Sequence, residues 1–297
     1  MARRLTRSAN RIIEDQLADH AKDLEAELDG DVLALVGPIV YGTDDAIRDA
    51  VESLDDERRG KLVVVVETAG GYIEVVARIV DTLRHHYPRS VEFIVPNYAM
   101  SAGTVLVMSG NAIHMDYYSI LGPIDPQVSR PGRPGDLIPA LGYLIQYDRL
   151  IKKSQQGKLS TAELILLEKF DLAELYRYEQ DRELSISLLK EWLVKYKFAN
   201  WRRTASRKRA VTSAMKSRRA AQVAKKLNMT EMWHSHGRGI SMTILQNDVK
   251  VLIDDFGGNE KLNTVIHEYY RLLGDYMGKR GHSGAVHTRV KYIPMLR

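Results

Sequence analysis

The chain has 297 residues, a net charge of +5 and no cysteine. This length can bury the core of one large α/β domain with additions. The lack of cysteine excludes disulfides, thiolate metal sites and a cysteine nucleophile. It also suits the reducing cytoplasm, where we expect the protein to work. No apolar stretch approaches the roughly 18 residues of a membrane span, and no apolar segment follows the charged start, so we predict neither a membrane helix nor a signal peptide.

Strands and helices alternate along the first part of the chain. An amphipathic helix is predicted over residues 5–28, then an apolar strand from Asp31, then a helix from Thr43 to Leu54 with Thr43 as its N-cap. The apolar run from Leu62 to Glu67 is typical of a parallel strand that is buried on both faces. The alternation continues to residue 128 and predicts a mostly parallel sheet with flanking helices.

One stretch of this part, Val91 to Gly110, combines a strand, a corner and a helix. Pro96 and Asn97 end the strand, so Ser101 falls at or near the first turn of the helix. The unpaired backbone N–H groups and the helix dipole favour negative charge there, and a serine hydroxyl in that place can attack a carbonyl. Serine is also among the best N-caps, which is the simpler interpretation of this residue alone.

Two further stretches raise the specificity of the pattern. Gly70-Gly71 lies between the strand that ends at Glu67 and a helical pattern, where a glycine corner exposes backbone N–H groups that can hold an oxyanion, or simply forms a turn. Asp125 stands between Pro123 and Pro126, which restrict the local backbone, although an aspartate there can also merely initiate a turn.

The combination of Gly70-Gly71, Ala99–Gly103 and Gly122–Gln127 resembles the Clp-protease/crotonase superfamily of serine peptidases. Within it, the chain is most similar to the serine dehydrogenase proteinase group, relatives of signal-peptide peptidase A. The resemblance covers about residues 31–128 and returns weakly at His236–Ser241. It implies an α/β, Clp/crotonase-like fold, a mostly parallel sheet with flanking helices and an inserted helical arm.

The resemblance also implies roles for individual residues. Ser101 would be the nucleophile, and the backbone N–H groups of Gly71 and Ala102 would form the oxyanion hole. Clp protease subunits have a histidine after the segment that follows the nucleophile helix, whereas Ile124-Asp125 stands at that place here. The general base is therefore not given by the resemblance alone.

Histidine is our preferred base. His236, oriented by Asp125, can complete a triad, because a triad is recognised by geometry rather than chain order, and His234 is the second candidate. A serine–lysine dyad, as in signal-peptide peptidase relatives, would use Lys152 or Lys153. The two histidines lack further ligands at metal-binding spacing, so we predict no metal and no cofactor.

The second part of the chain is mostly helical. A loop rich in proline and glycine precedes a helical arm over residues 141–200, with predicted breaks at Gln156-Gly157 and near Asp181. Such an arm mediates oligomer contacts in the superfamily, so we expect a homo-oligomer. The predicted division is a helix over 1–30, a nucleophile core over 31–140, an arm with a basic stretch over 141–232, and a part over 233–297 that completes the core.

The basic stretch, residues 202–226, contains no acidic residue. It is typical of a nucleic-acid footprint, or of a solvated helix face that meets the acidic helix at 163–183. No recognised motif and no interleaved aromatics accompany it, so we favour the solvated face. Towards the end we predict a strand at Val249–Ile253, a helix from Glu260 to Met277 that Asn259 opens as its cap, and a mobile basic tail after Gly278.

These observations predict an ATP-independent serine peptidase that cleaves peptide bonds through an acyl-enzyme on Ser101. The first alternative is a crotonase-like acyl-CoA enzyme, which has the same oxyanion hole but no serine nucleophile. The second is an α/β-hydrolase, because Ala99-x-Ser101-x-Gly103 is one residue short of Gly-x-Ser-x-Gly. The third is a non-catalytic oligomeric scaffold that binds nucleic acid through residues 202–226.

Overall fold

The computed structural model describes residues 8–54, 58–124, 127–130, 133–204, 207–229 and 239–296. The helices are α1 (Ala9–Leu28), α2 (Thr43–Glu52), α3 (Ile73–His86), α4 (Ala102–Met108), α5 (Ala140–Gln155), α6 (Thr161–Leu167), α7 (Leu172–Trp192), α8 (Ser213–Leu227), α9 (Met242–Ile244) and α10 (Glu260–Arg280). Two π-helical turns, Leu193–Lys197 and Leu245–Val249, directly follow α7 and α9.

The strands are β1 (Asp31–Val36), β2 (Lys61–Glu67), β3 (Ser90–Ile94), β4 (Tyr98–Ala99), β5 (Ala112–Met115), β6 (Ile120–Leu121), β7 (Gln127–Arg130), β8 (Arg133–Pro139), β9 (Ile240–Ser241), β10 (Asp254–Asp255), β11 (Gly284–Thr288) and β12 (Tyr292–Met295). In the described part of the chain, seven strands form the main sheet in the order β10-β5-β3-β2-β1-β11-β12. The pairs from β10 to β1 are parallel, and β11 and β12 are antiparallel. The mostly parallel sheet is thus confirmed.

Both faces of this sheet are covered, which explains the uninterrupted apolar runs in its central strands. Leu33 and Leu35 of β1 point to the face that packs with α2, α3 and α4, whereas Val32 and Ala34 point to the face covered by α1 and α10. This is the alternation that the strand pleat imposes. Each large apolar side chain buried on either face contributes roughly 1.5–3 kcal/mol.

A smaller sheet positions the loops that carry the candidate site. In it β4 pairs with β6 in parallel, and β6 pairs with β9 antiparallel. The loop after β2 joins it, because Thr68 forms a parallel bridge with Ala99. The stretches around residues 70, 101, 122 and 240 are thereby brought to one place.

Several local predictions need correction. Gly42, not Thr43, is the N-cap of α2, and Asp44 accepts the Gly42 N–H at 3.2 Å. The break at Gln156-Gly157 is confirmed, whereas the one near Asp181 is wrong, because α7 runs through it without interruption. The buried side chains Tyr178, Ser185, Leu189 and Trp192 keep this part of α7 packed along its length.

The end of the chain also differs from expectation. Residues 250–253 are not helix or strand, and the predicted strand at Val249–Ile253 is replaced by a π-helical turn and the short β10. The cap at Asn259 is confirmed, since its side chain accepts the Leu262 N–H at 3.2 Å. The predicted mobile tail is wrong, because β11 and β12 lie in the main sheet and β11 is fully buried. Within the described residues, no helix combines the length and apolar character that crossing a membrane requires.

Candidate active site

Ser101 stands between β4 and α4 in a backbone conformation that is unusual for a residue with a side chain. Its φ is 52° and its ψ is −120°, and its hydroxyl does not cap the helix. Positive φ costs a non-glycine residue about 1–3 kcal/mol, and such strain is concentrated at functional sites. The turn is held by Gly103 N–H to Met100 O at 2.8 Å and by Thr104 N–H to Ser101 O at 2.9 Å. The interpretation of Ser101 as a simple N-cap therefore does not describe what its side chain does.

Thr104 ties the start of α4 to its surroundings. Its buried Oγ1 lies 2.8 Å from Ala99 O and 3.0 Å from Gly122 O, and Gly122 N–H donates to Oγ1 at 3.0 Å. The side chain that joins β4, α4 and the segment after β6 thus lies three residues beyond the serine. It limits the freedom of the whole turn.

The Gly70-Gly71 corner packs directly against this turn. A Cβ added at Gly70 would lie 2.8 Å from Met100 O and 2.9 Å from Ser101 Cβ, and φ at Gly70 is +104°. A Cβ added at Gly71, where φ is +153°, would lie 1.9 Å from Ile39 O. Both positions therefore require glycine, because any side chain would separate the corner from its neighbours.

Hydrogen bonds fix the direction of the N–H groups at this corner. Ile39 N–H donates to Gly70 O and Tyr72 N–H donates to Ile39 O, both at 2.9 Å. The Gly70 N–H donates to Thr68 Oγ1 at 3.0 Å. Since backbone groups alternate in direction along an extended segment, the Gly71 N–H is directed away from Ile39.

A small cavity joins the corner and the serine. It is lined by Gly71, Tyr72, Ile73, Glu74, Ser101, Ala102, Val105, Ile124, Asp181 and Ser185. Its volume is about 10 Å³, which is room for about one water molecule. Ser101 is only 1% exposed. Ala102 is the first residue of α4, and the N–H groups of a first helical turn have no acceptor within the helix.

Helix α7 of the arm covers this cavity, which sequence reasoning missed. Asp181 and Ser185 lie one turn apart on the face of α7 towards Ser101, and Ser185 Oγ donates to Asp181 O at 2.8 Å. Burial raises the pKa of Asp181, and the charge of Glu74 raises this pKa further. Glu74 in turn accepts the Tyr41 hydroxyl at 2.7 Å. The signal in the sequence was a pair of polar residues at helical spacing beside the apolar Leu189 and Trp192.

Within the described residues, no candidate for the general base is seen beside Ser101. Asp125, His234 and His236 lie outside the described residues. Lys152 is exposed, and Lys153 Nζ lies 2.5 Å from Glu163 Oε1. That hydrogen bond is the main cause that lowers the pKa of Glu163 to about 2. Among the residues that the structure describes, no group of His, Cys, Asp or Glu is arranged to hold a metal ion.

Comparison with known proteins gives short matches in sequence and distant ones in structure. The Methanocaldococcus jannaschii protein MJ0137 is 37% identical over 71 residues, which are 24% of either chain. MJ1495 of the same organism is 30% identical over 105 residues, which are 35% of this chain and 32% of that protein. The chain thus spans about a third or less of the length of these curated relatives.

Two of the solved structures that resemble the chain are proteases by name. A lysine-to-alanine mutant of the 1510-N membrane-bound stomatin-specific protease, in complex with a substrate peptide, is 14% identical, covers 89% of this chain and 86% of its own, and has a TM-score of 0.45. The ClpP protease catalytic domain from Plasmodium falciparum is 13% identical, covers 40% of this chain and 63% of its own, and has a TM-score of 0.31.

A family model gives the more extensive match. The model of the ClpP-like SDH-type serine proteinases matches residues 43–197, which include β2, α3, β4, α4 and the arm helices. This stretch is more than half of the 297 residues and contains Gly71, Ser101 and Ala102. The family resemblance expected from the sequence is thereby confirmed, and the chain belongs to the ClpP-like SDH-type serine proteinases.

Proposed function

We propose that the protein is an ATP-independent serine peptidase and that Ser101 is its nucleophile. The observation that carries the proposal is the buried, positive-φ Ser101 at the start of α4, in one cavity with Gly71 and Ala102. Membership of a serine proteinase family supports it. Acyl transfer requires at least a nucleophilic hydroxyl and, next to it, backbone N–H groups that can stabilise the oxyanion.

In this proposal the Ser101 Oγ forms a bond to the carbonyl carbon of the scissile peptide. The carbonyl oxygen becomes an oxyanion and accepts hydrogen bonds from the N–H groups of Gly71 and Ala102. The base takes the hydroxyl proton and gives it to the leaving amine, and water then hydrolyses the acyl-enzyme. Loss of one such donor lowers turnover by about 10²–10³-fold in serine proteases.

We retain His236, oriented by Asp125, as the preferred base. Two described neighbours support the choice. Ile124, which precedes Asp125 in the sequence, lines the cavity and donates its N–H to Leu227 O at 3.1 Å. Strand β9 pairs with β6, which ends three residues before Ile124, and His236 precedes β9 by four residues. A segment of four residues can span roughly 10 Å or more, and we therefore keep His236 as the base, with His234 as the second candidate.

The lysine alternatives fit less well. A lysine base must be free to accept a proton, whereas Lys153 Nζ is engaged in an ion pair with Glu163. Lys152 is exposed on the same turn of α5. A serine–lysine dyad would therefore require the arm to reorganise so that one ammonium group is desolvated.

Substrate cannot occupy the cavity as it stands, since the space beside Ser101 holds about one water molecule. Asp181 and Ser185 are the α7 residues that line this cavity. Productive binding therefore requires this part of α7 to move away from α4.

The direct test is covalent labelling with a fluorophosphonate. We expect Ser101→Ala to abolish labelling and peptide hydrolysis without changing the circular dichroism spectrum, because only a hydroxyl is lost. Ser109→Ala is the matched control, since Ser109 is a buried serine at the other end of α4 whose hydroxyl donates to Leu106 O. Labelling of Ser101→Ala at the wild-type rate would refute the nucleophile assignment.

The base is tested with the same probe. His236→Ala and Asp125→Asn should lower the labelling rate by orders of magnitude, and Lys152→Ala and Lys153→Ala should not. With a histidine base the rate rises with pH around the ordinary histidine value of about 6.5. A fully active His236→Ala, together with an inactive lysine variant and a rise at alkaline pH, would instead establish the dyad.

A further inference from the structure

A second cavity, far larger than the one at Ser101, lies between the end of the arm and the segment after α9. Its volume is about 810 Å³, which is within the range of about 300–1,000 Å³ that small-molecule sites occupy. It is lined by Asn111, Tyr196, Lys197, Phe198, Asn200, Trp201, Arg203, Arg219, Gln246, Lys250, Val251 and Leu252. None of these residues lines the cavity at Ser101, and none has a role in the proposed peptidase.

The composition of the wall is selective. Three aromatic rings, those of Tyr196, Phe198 and Trp201, line it together, and Phe198 and Trp201 meet edge to face with centroids 5.8 Å apart. The lining includes four cations and, among the described residues, no carboxylate. Flat apolar rings beside an excess of positive charge favour a ligand that has both a flat body and an anionic group.

The four cations differ in their contacts. Arg219 has a structural role, because its Nη2 donates to Val249 O and to Lys250 O and so caps the second π-helical turn. Lys197, Arg203 and Lys250 form no ion pair within the described part of the chain. These three side chains are therefore available to an anionic ligand.

Lys197 is the most constrained of the three. Burial lowers its pKa to about 8, although the charges of Asp254 and Glu92 act in the opposite direction. Neither of these carboxylates lines the cavity, and Glu92 is already engaged by His114 at 3.0 Å. An anion bound in the cavity would supply the partner that this half-buried ammonium lacks.

The backbone around the cavity is irregular in a way that is typical of binding sites. Both π-helical turns contribute to the lining, the first through Tyr196 and Lys197 and the second through Gln246. Lys250, which follows the second turn, has a φ of +63°. Short π-helical segments and positive φ at residues other than glycine are rare and are found preferentially at functional sites.

We propose that this cavity binds a nucleoside phosphate, with the base against the aromatic rings and the phosphate at Lys197, Arg203 and Lys250. The amide of Asn200 can both donate and accept, as recognition of a base edge requires, and Gln246, whose Nε2 already donates to Ile253 O at 3.1 Å, keeps its amide oxygen as an acceptor. The basic stretch at 202–226 begins directly after Trp201, so the aromatic residues absent from that stretch lie just before it in the sequence and line the cavity together with Arg203. The ligand can be a free nucleotide or the nucleotide unit of a single strand.

The test is isothermal titration of the full chain with AMP, with adenosine and inorganic phosphate as partial ligands. We expect AMP to bind more tightly than either, and Lys197→Met to weaken AMP about tenfold or more, since a charge-assisted hydrogen bond is lost. Arg218→Ala is the matched control, because Arg218 is an exposed cation of α8 that does not line the cavity. Circular dichroism verifies that each variant is folded.

The outcomes are distinct. No AMP binding at millimolar concentration, equal binding of AMP and adenosine, or equal losses in Lys197→Met and Arg218→Ala would overturn the proposal. Trp201→Leu should also weaken AMP, and undiminished binding in this variant would refute stacking. A single-stranded oligoribonucleotide that binds more tightly than AMP, with the same loss in Lys197→Met, would identify the source as a strand, and weaker binding would identify it as the free nucleotide.

Discussion

Adding one methyl group at Gly71 is expected to disable the candidate site and to destabilise the fold. The new Cβ would lie 1.9 Å from Ile39 O and 2.7 Å from Ile39 C, at a φ of +153°. The bridge between Ile39 and Gly71 holds the corner in register, so the corner must move away from Ile39 to accept the methyl group. The direction of the Gly71 N–H would change with it.

The size of both effects can be worked from this geometry. Backbone strain at an unfavourable φ costs about 1–3 kcal/mol, and over-packing in a tight interior costs about 1–3 kcal/mol. Together they amount to about 4 kcal/mol, out of a total stability of about 5–15 kcal/mol. The melting temperature should fall by about 10 °C. Loss of the donor should slow acylation by about 10²–10³-fold.

The assay combines thermal denaturation with the rate of fluorophosphonate labelling below the melting transition. Gly274→Ala is the matched control, because Gly274 lies in α10 and a Cβ there would have no neighbour within 4 Å. This control should label at the wild-type rate and gain about 0.5–1 kcal/mol, since alanine is the better helix former.

Two results would refute the reasoning. An unchanged melting temperature in Gly71→Ala would show that the corner does not need glycine. A lowered melting temperature with a wild-type labelling rate for the folded fraction would leave the packing argument intact but remove Gly71 from the oxyanion hole.

Three further predictions concern stability and assembly. Burial lowers the pKa of His287 to about 4, against about 6.5 in the unfolded chain. The neutral imidazole therefore stabilises the fold above pH 6.5, and up to about 3 kcal/mol of the free energy of unfolding is lost as the pH falls towards 4. Denaturant titrations should show that this loss with falling pH is smaller in His287→Gln but unchanged in His85→Gln, where the replaced side chain is exposed. Thr68→Val should lower stability by about 1–3 kcal/mol in urea denaturation, because the buried Gly70 N–H loses its acceptor Thr68 Oγ1, and an unchanged midpoint would contradict this. Light scattering should report at least a dimer, because the apolar side chains of Leu164, Ile165 and Leu166 in α6 are 46%, 52% and 53% exposed and a partner subunit would bury them. Leu166→Glu should weaken this association. A wild-type monomer at micromolar concentration would exclude the oligomer.

The sequence by itself determined the elements whose signals are local. Continuous apolar runs predict β1 and β2, and helical patterns predict α1 and α3, because each strand or helix displays its own buried faces in its own residues. The Gly70-Gly71 corner and the helix start at Ser101 are recognisable for the same reason, since positive φ and close approach select residue types at single positions.

Tertiary structure alone decided what depends on distant partners. Helix α7 continues through Asp181 because its buried side chains pack on the core, and this packing outweighs the local signals for a break. The antiparallel addition of β11 to β1 could not be predicted from Gly284–Thr288, whose polar His287 and Thr288 are buried only because Tyr269 and β1 receive them. The second cavity likewise assembles residues 111, 196–203 and 246–252, whose proximity is a property of the packed chain and not of any one segment.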